Sequence, residues 1–310
     1  MKGFPPKKNL NEPYKILAFT LFALFLVLFS VSVMLRFWIV NNAINSSPSV
    51  PRSDLAYPVL KSSYLPQISA NGAIIMDAKT KSVLYSKNPK LRFSSASTTK
   101  IMTAIVALDY FKTNDILTVK EATREGSILG VYNGEQFTLE NLLYALLLPS
   151  ANDAALTIAQ NYPDGINSFV EEMNEKAGLF LLKNTHFGDP AGLLDKENYT
   201  TPFDLARLAS FALDYPELAK IVSTQYKTIT DVSGSSVYTL ENLNKLLGTD
   251  GVNGVKTGYT EEAGQVLVTS KKEDGNTIII VVMGSDDRFF DTQKLLSLIS
   301  GNLTYLSIHP

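Results

Sequence analysis

Hydrophobic and polar positions divide the chain into two unlike parts. Residues 16–35 run ILAFTLFALFLVLFSVSVML, with no charge and no polar face. As a helix this stretch spans about 30 Å, the thickness of a bilayer's hydrocarbon layer. Arg36, Phe37 and Trp38 close it with the cation-and-aromatic pattern of a membrane interface. A cleaved signal peptide has a shorter apolar stretch and a small-residue cleavage site, and neither is evident. The pattern predicts a transmembrane anchor over 16–38, with secretion after signal cleavage as the alternative. Residues 39–67 are rich in Ser, Asn and Pro without periodicity and read as a linker.

From residue 68 the periodicity becomes that of a folded body. Residues 73–77 and 82–85, separated by Ala78-Lys79-Thr80-Lys81, predict strand, turn and strand. Ile101, Ala104, Ile105 and Leu108 fall at i, i+3, i+4 and i+7, the mark of an amphipathic helix. Leu139, Leu142, Leu143 and Leu146 repeat the pattern until Pro149 stops it, and Ile166, Phe169, Val170 and Met173 give another helix. Thr201-Pro202 supplies an N-cap and a first-turn proline for a helix to about Leu213. Strand-like runs follow at 254–257, 265–269 and 277–283, then a last helix over about 291–299. Strands near both ends with helices between them predict one α/β body, 68–310, whose sheet collects both ends.

Charge separates the same two parts. The net charge is −2 and the pI about 5.8, yet Lys2, Lys7, Lys8 and Lys15 against Glu12 make the first fifteen residues positive. Those lysines place residues 1–15 in the cytoplasm by the positive-inside rule, and the body outside the membrane. The body is acidic, so no positive field invites nucleic acid. Cysteine is absent, which excludes disulfides, a thiolate nucleophile and Cys-ligated metals. His186 and His309 are the only histidines, too few for a His-rich zinc site, and a Ser-His-Asp triad would rest on His186 alone. No metal or organic cofactor is expected.

A hydrolase with this composition needs another way to activate a nucleophile, and a serine paired with a deprotonable lysine is one. Ser97-Thr98-Thr99-Lys100 opens a predicted helix, and i, i+3 spacing puts Ser97 and Lys100 on one face. An N-capping serine and a solvated lysine would give the same pattern. Pro149-Ser150-Ala151-Asn152-Asp153 joins two helices, where Ser150 and Asn152 could project into a cleft or merely cap. Gly254-Val255-Lys256-Thr257-Gly258-Tyr259 ends a strand with a cation, a hydroxyl and a glycine that allows close approach. An edge-strand lysine before a turn is the plainer account of that segment.

Taken in order, S-x-x-K, S-x-N and K-T-G resemble the signature of the penicillin-binding proteins and serine β-lactamases. The flanks at 94–104, 134–138, 148–154, 189–193, 254–258, 263–264 and 288–291 resemble the low-molecular-mass serine D-alanyl-D-alanine carboxypeptidases. The resemblance covers about residues 65–305. It implies an α+β fold with an antiparallel sheet and a helical subdomain. It also implies peptidoglycan stem peptides ending in D-Ala-D-Ala as substrate and β-lactam antibiotics as covalent inhibitors. Ser97 would be acylated with Lys100 as general base, its ammonium destabilised by burial and by Lys256. Ser150 would relay the proton, Asn152 would hold Lys100 and the substrate amide, and the backbone N–H groups of Ser97 and Tyr259 would form the oxyanion hole. Lys256 and Thr257 would meet the substrate's carboxylate with Arg288, although Asp286, Asp287 and Asp291 offer Arg288 structural partners instead. Gly258 would let the substrate approach the strand.

Ala151 and Tyr259 stand where many members carry Gly and His, and neither side chain enters this chemistry. The β-rich second domain and C-terminal anchor of many members have no counterpart in the segment after Lys256, so the N-terminal helix is expected to replace that anchor. A class A β-lactamase would share the three motifs, but its E-x-x-L-N segment does not occur. A non-catalytic, membrane-tethered penicillin- or wall-binding module is the remaining alternative.

Overall fold

The computed structural model describes residues 12–45, 56–62 and 64–307. Two compact units are distinguished, residues 1–54 and 55–310. In the first, one helix runs Glu12–Asn45, longer at both ends than the 16–38 span expected from hydropathy. Its stretch Phe19–Arg36 is apolar enough to cross a membrane and is not buried against protein.

The second unit is organised by a five-stranded antiparallel sheet. In spatial order its strands are Val252–Thr260, Gly264–Glu273, Asn276–Ser285, Gly72–Asp77 and Val83–Lys87. The early hairpin thus adds to the last three strands, with Ile280 opposite Ile75 and Val281 opposite Ile74. The run TIIIVVM lacks polar alternation because both of its faces are covered. Ile279, Val281 and Met283 join Ile74 and Met76 against the helical layer, while Ile278, Ile280 and Val282 join Ala73 and Ile75 beneath the C-terminal helix. Period two in the strand therefore divides one apolar run between two cores.

The helical layer is built around Lys100–Tyr110, which packs against Leu139–Leu147, Asn152–Asn161, Ile166–Leu179 and Pro202–Ala212. Thr201 caps the last of these by accepting from the Asp204 N–H, as Thr-Pro predicts. The C-terminal helix begins at Arg288 rather than near 291, because the Asp287 carboxylate accepts from the Phe289 and Phe290 N–H groups. The stretch 139–147 also ends before Pro149, and Ser150 turns the chain at φ +68° into the next helix.

The 39–67 linker expected from composition is corrected at both ends. The N-terminal helix reaches Asn45, and Ala56–Leu60 is a strand paired with Leu303–Ser307. That strand escapes periodicity analysis because Pro58 is its one buried residue, whereas Tyr57 and Val59 are exposed. Its partner lies some 250 residues away, and Tyr305 secures the ribbon by donating to Asp77 at 2.9 Å. Deleting residues 1–54 should leave the melting temperature of the body unchanged. Extending the deletion through Leu60 should lower it by about 4 °C, the shift expected for a loss of about 1–2 kcal/mol in a domain of this size. Thermal melts of the two truncated proteins check this, and equal melting temperatures would refute a stabilising strand.

Candidate active site

A short 3-10 turn, Ala96–Thr99, leads directly into the helix Lys100–Tyr110. Ser97 stays partly exposed on the turn, while Lys100 is wholly buried. The Lys100 Nζ lies 3.1 Å from Ser97 Oγ, 2.7 Å from Asn152 Oδ1 and 2.6 Å from the Ala191 carbonyl oxygen. The Asn152 and Ala191 oxygens can only accept. When the amine is neutral its two N–H bonds serve them, and its lone pair faces the one neighbour with a proton to give, Ser97. Burial supplies the neutral form, lowering Lys100 to about 7 from the usual 10.5, and the carboxylates of Asp189 and Asp153 pull the value partly back.

Lys256 is a second buried amine of the site. Its own ammonium is disfavoured by burial first, then by the charges of Lys100 and Arg288, and it lies well below the ordinary lysine range.

Each acceptor around Lys100 is itself anchored. Asn152 donates through Nδ2 to the Glu125 carbonyl at 2.9 Å, and through its backbone N–H to the Ser127 carbonyl at 2.7 Å. Asp153 gathers the N–H groups of Leu129, Gly130 and Val131 from the same loop. Asp189 collects four consecutive N–H groups, Ala191 to Leu194, and the Asn198 amide. This turn aims the Ala191 carbonyl at Lys100. Gly192, at φ +80°, is obligatory there, since a Cβ would lie 1.9 Å from the Ala96 carbonyl oxygen. Ser150 is buried beside Asn152 in the chain, and its Oγ has no partner among the described residues.

The edge strand Val252–Thr260 closes the other side. Lys256 and Thr257 are buried, Gly258 packs with its Cα facing the turn, and Tyr259 projects to solvent. A Cβ on Gly258 would stand 3.3 Å from the Ala96 Cβ and 3.4 Å from the Ser97 nitrogen, so glycine sets how closely strand and turn approach. Lys256 Nζ donates to the Thr257 carbonyl at 3.0 Å. Arg288 Nη1 donates to the Gly258 carbonyl at 2.8 Å, and its guanidinium lies over Phe289. None of Asp286, Asp287 and Asp291 forms an ion pair with it among the described residues. Asp287 caps the helix, and Asp291 accepts from Ser69, Ala70 and Ser285.

The structure thus brings Ser97, Lys100 and Asn152 into one hydrogen-bonded cluster, and joins Gly258 to Arg288 at the strand edge. His186 is elsewhere, its Nδ1 on the Glu197 carbonyl and its ring stacked on Tyr199. Motif analysis did not single out the Ala191 carbonyl or the turn around Asp189, although 189–193 resembled the family. A backbone acceptor has no residue-type signature; only a carboxylate followed by a glycine hinted at it.

The chain is similar to known proteins over most of its length. The D-alanyl-D-alanine carboxypeptidase family profile matches residues 60–287. A D-alanyl-D-alanine carboxypeptidase of Streptomyces sp. strain K15 is 35% identical over 254 residues, covering 75% of this chain and 87% of the relative. A D-alanyl-D-alanine endopeptidase of Pseudomonas aeruginosa is 34% identical over 238 residues, 74% of this chain and 76% of that one. The crystal structure of the Streptomyces K15 DD-transpeptidase superposes with a TM-score of 0.73 at 33% identity, over 77% of this chain and 99% of the other. With its matched span, its penicillin-binding-like fold and its serine–lysine site, the chain belongs to the D-alanyl-D-alanine carboxypeptidase family of serine peptidases.

Proposed function

We propose that the chain removes the terminal D-alanine from peptidoglycan stem peptides through an acyl-enzyme on Ser97. The observation carrying this reading is the buried Lys100 amine, held by two pure acceptors with Ser97 as its third neighbour. Neutral Lys100 takes the Ser97 proton as Oγ attacks the carbonyl of the penultimate D-alanine. The N–H groups of Ser97 and Tyr259 receive the oxyanion. Collapse breaks the C–N bond, and the leaving amine takes its proton from Lys100 through the Ser150 hydroxyl. Water then attacks the ester by the same route in reverse and restores Ser97. Asn152 keeps Lys100 oriented and binds the substrate amide, while Thr257, Lys256 and Arg288 meet the terminal carboxylate. That carboxylate favours the charged form of Lys256, because an adjacent anion raises an amine's affinity for its proton. A β-lactam would acylate Ser97 in the same way.

The N-terminal helix would hold the body at the outer membrane-facing side, with residues 1–15 in the cytoplasm. A second substrate, the cross-linked stem peptide, is favoured by the relatives named endopeptidases in Pseudomonas aeruginosa and Escherichia coli. Mass spectrometry of products from intact peptidoglycan separates the two, since the carboxypeptidase reaction removes one alanine and leaves cross-links whole. Ser97→Ala should abolish both that product and covalent labelling by a fluorescent penicillin while the melting curve is kept. Labelling that survives would remove Ser97 from the mechanism.

The acylation rate should follow the neutral fraction of Lys100. Below a pH of about 7 it should fall tenfold per unit as the amine protonates, and above it level off. A penicillin-labelling profile between pH 5 and 9 that stays flat across pH 6 would overturn the general-base role.

Arg288→Ala should lower kcat/KM for a free-acid peptide by about 10- to 100-fold, the value of a charge-assisted hydrogen bond of about 1.5–3 kcal/mol. Acylation by a penicillin esterified at its carboxylate should change little. Both rates are measured on one folded preparation, and equal losses would reassign Arg288 to holding Gly258.

A further inference from the structure

The loop after Asp189 has a second carboxylate at its far end. Asp195 is partly buried, and its Oδ1 accepts from the hydroxyls of two residues distant in sequence. One is Ser94, in the short strand that enters the Ala96–Thr99 turn. The other is Thr260, the last residue of the edge strand, at 2.8 Å. A single oxygen therefore links the segment three residues before Ser97 to the residue directly after Tyr259. The same entry segment is also held by the Ser95 N–H, which donates to the Asn198 carbonyl at 3.0 Å. At the loop's other end the Ala191 carbonyl holds Lys100.

We infer that Asp195 is a positioning residue that sets the separation between the Ser97 turn and the Tyr259 end of the edge strand. The inference rests on the reading of Ser97 as the acylated residue with an oxyanion hole shared between Ser97 and Tyr259. The physical basis is that these two N–H groups belong to different elements, which no backbone ladder joins at this point. The strand is hydrogen-bonded on one side only, to Gly264–Glu273, and its free side faces the turn. Gly258 sets how near the two can come, since a Cβ there would press on Ala96 and Ser97. Contact of this kind resists approach but not separation. Asp195 resists separation, because moving the strand outward must break a hydroxyl–carboxylate bond. An oxyanion hole stabilises the transition state only when both donors lie within hydrogen-bond reach of the developing charge. A displacement of about 1 Å costs on the order of 100-fold in rate.

The role needs one oxygen acceptor and no particular charge, so Asn and Ala at this position separate it from other accounts. Asp195→Ala should lower the second-order rate of acylation by a fluorescent penicillin at least tenfold. It should weaken an arylboronic acid, which forms a reversible tetrahedral adduct on serine, by a similar factor. Asp195→Asn, whose amide oxygen can accept from both hydroxyls, should restore most of both. Ser94→Ala and Thr260→Val each open the same bridge, so neither should add its full loss to that of Asp195→Ala.

Three results would overturn the inference. Asp195→Ala could acylate at the parental rate. Asn could lose as much as Ala, which would make the charge the active feature. Activity could fall only in step with the folded fraction in a thermal melt, which would make the bridge merely structural. Failure of the parental protein to form any penicillin adduct would instead remove the reading of Ser97 before the variants are compared.

Discussion

An amine with no exposure to water holds the site together, and the arrangement around it follows from how such a group can exist. A lysine usually keeps its proton to about pH 10.5, but the buried Lys100 releases it at about 7. Between those values the unfolded chain carries a proton that the folded protein has lost, so folding is opposed most at low pH and the opposition fades as pH rises toward 10.5. At neutral pH the difference amounts to about 5 kcal/mol. The remaining polarity has to be satisfied, and the Asn152 oxygen, the Ala191 carbonyl and Ser97 do that. A group costly to the fold is thereby kept as a base beside an alcohol.

Both acceptors depend on carboxylates placed behind them. Asp153 secures the loop that holds Asn152, and Asp189 winds the loop that presents Ala191. Their negative charges also limit how far the amine is depressed. The same two groups therefore fix the geometry and moderate the basicity. Lys100 is left near the pH at which proton acceptance and donation are both accessible.

The sheet's contribution lies at its edge. Its central strand is covered on both faces, which makes it a rigid support for Gly264–Glu273 and then for Val252–Thr260. The last strand has an unpaired side, and there a buried lysine, a threonine and a glycine, with the half-buried Arg288 of the C-terminal helix beside them, face the Ala96–Thr99 turn. Lys256 and Arg288 lack carboxylate partners among the described residues. Burial lowers both ammonium and guanidinium below their ordinary values; the charges of Lys100 and Arg288 add to this at Lys256, whereas Asp287 pulls Arg288 partly back. A carboxylate arriving there would offset the cost of burying both cations, which is the physical ground for proposing an anionic chain end as ligand.

Much of this was determined by local sequence. Apolar spacing marked the helices that begin near 100, 139 and 166, because each buries one face and repeats it every turn, and Thr201-Pro202 marked the start of the helix at 202–212. The uninterrupted apolar strand at 277–283 and the charge-free run at 16–35 were legible for a different reason, the lack of any polar face. Ser97, Lys100, Ser150, Asn152 and Lys256 could be named because their side-chain types and order carry the resemblance. Tertiary structure decided what has no local mark. Ala56–Leu60 is a strand only because Leu303–Ser307 returns to it. Arg288 forms no ion pair with its acidic neighbours among the described residues, where a helix cap occupies Asp287 and the Ser69–Ala70 segment with Ser285 occupies Asp291. Lys100 is lowered to about 7 because segments far apart in sequence bury it away from water. A pattern along the chain records which face of an element is apolar; it does not record which distant backbone oxygen or hydroxyl will meet a side chain, since that depends on how elements far apart in sequence are packed.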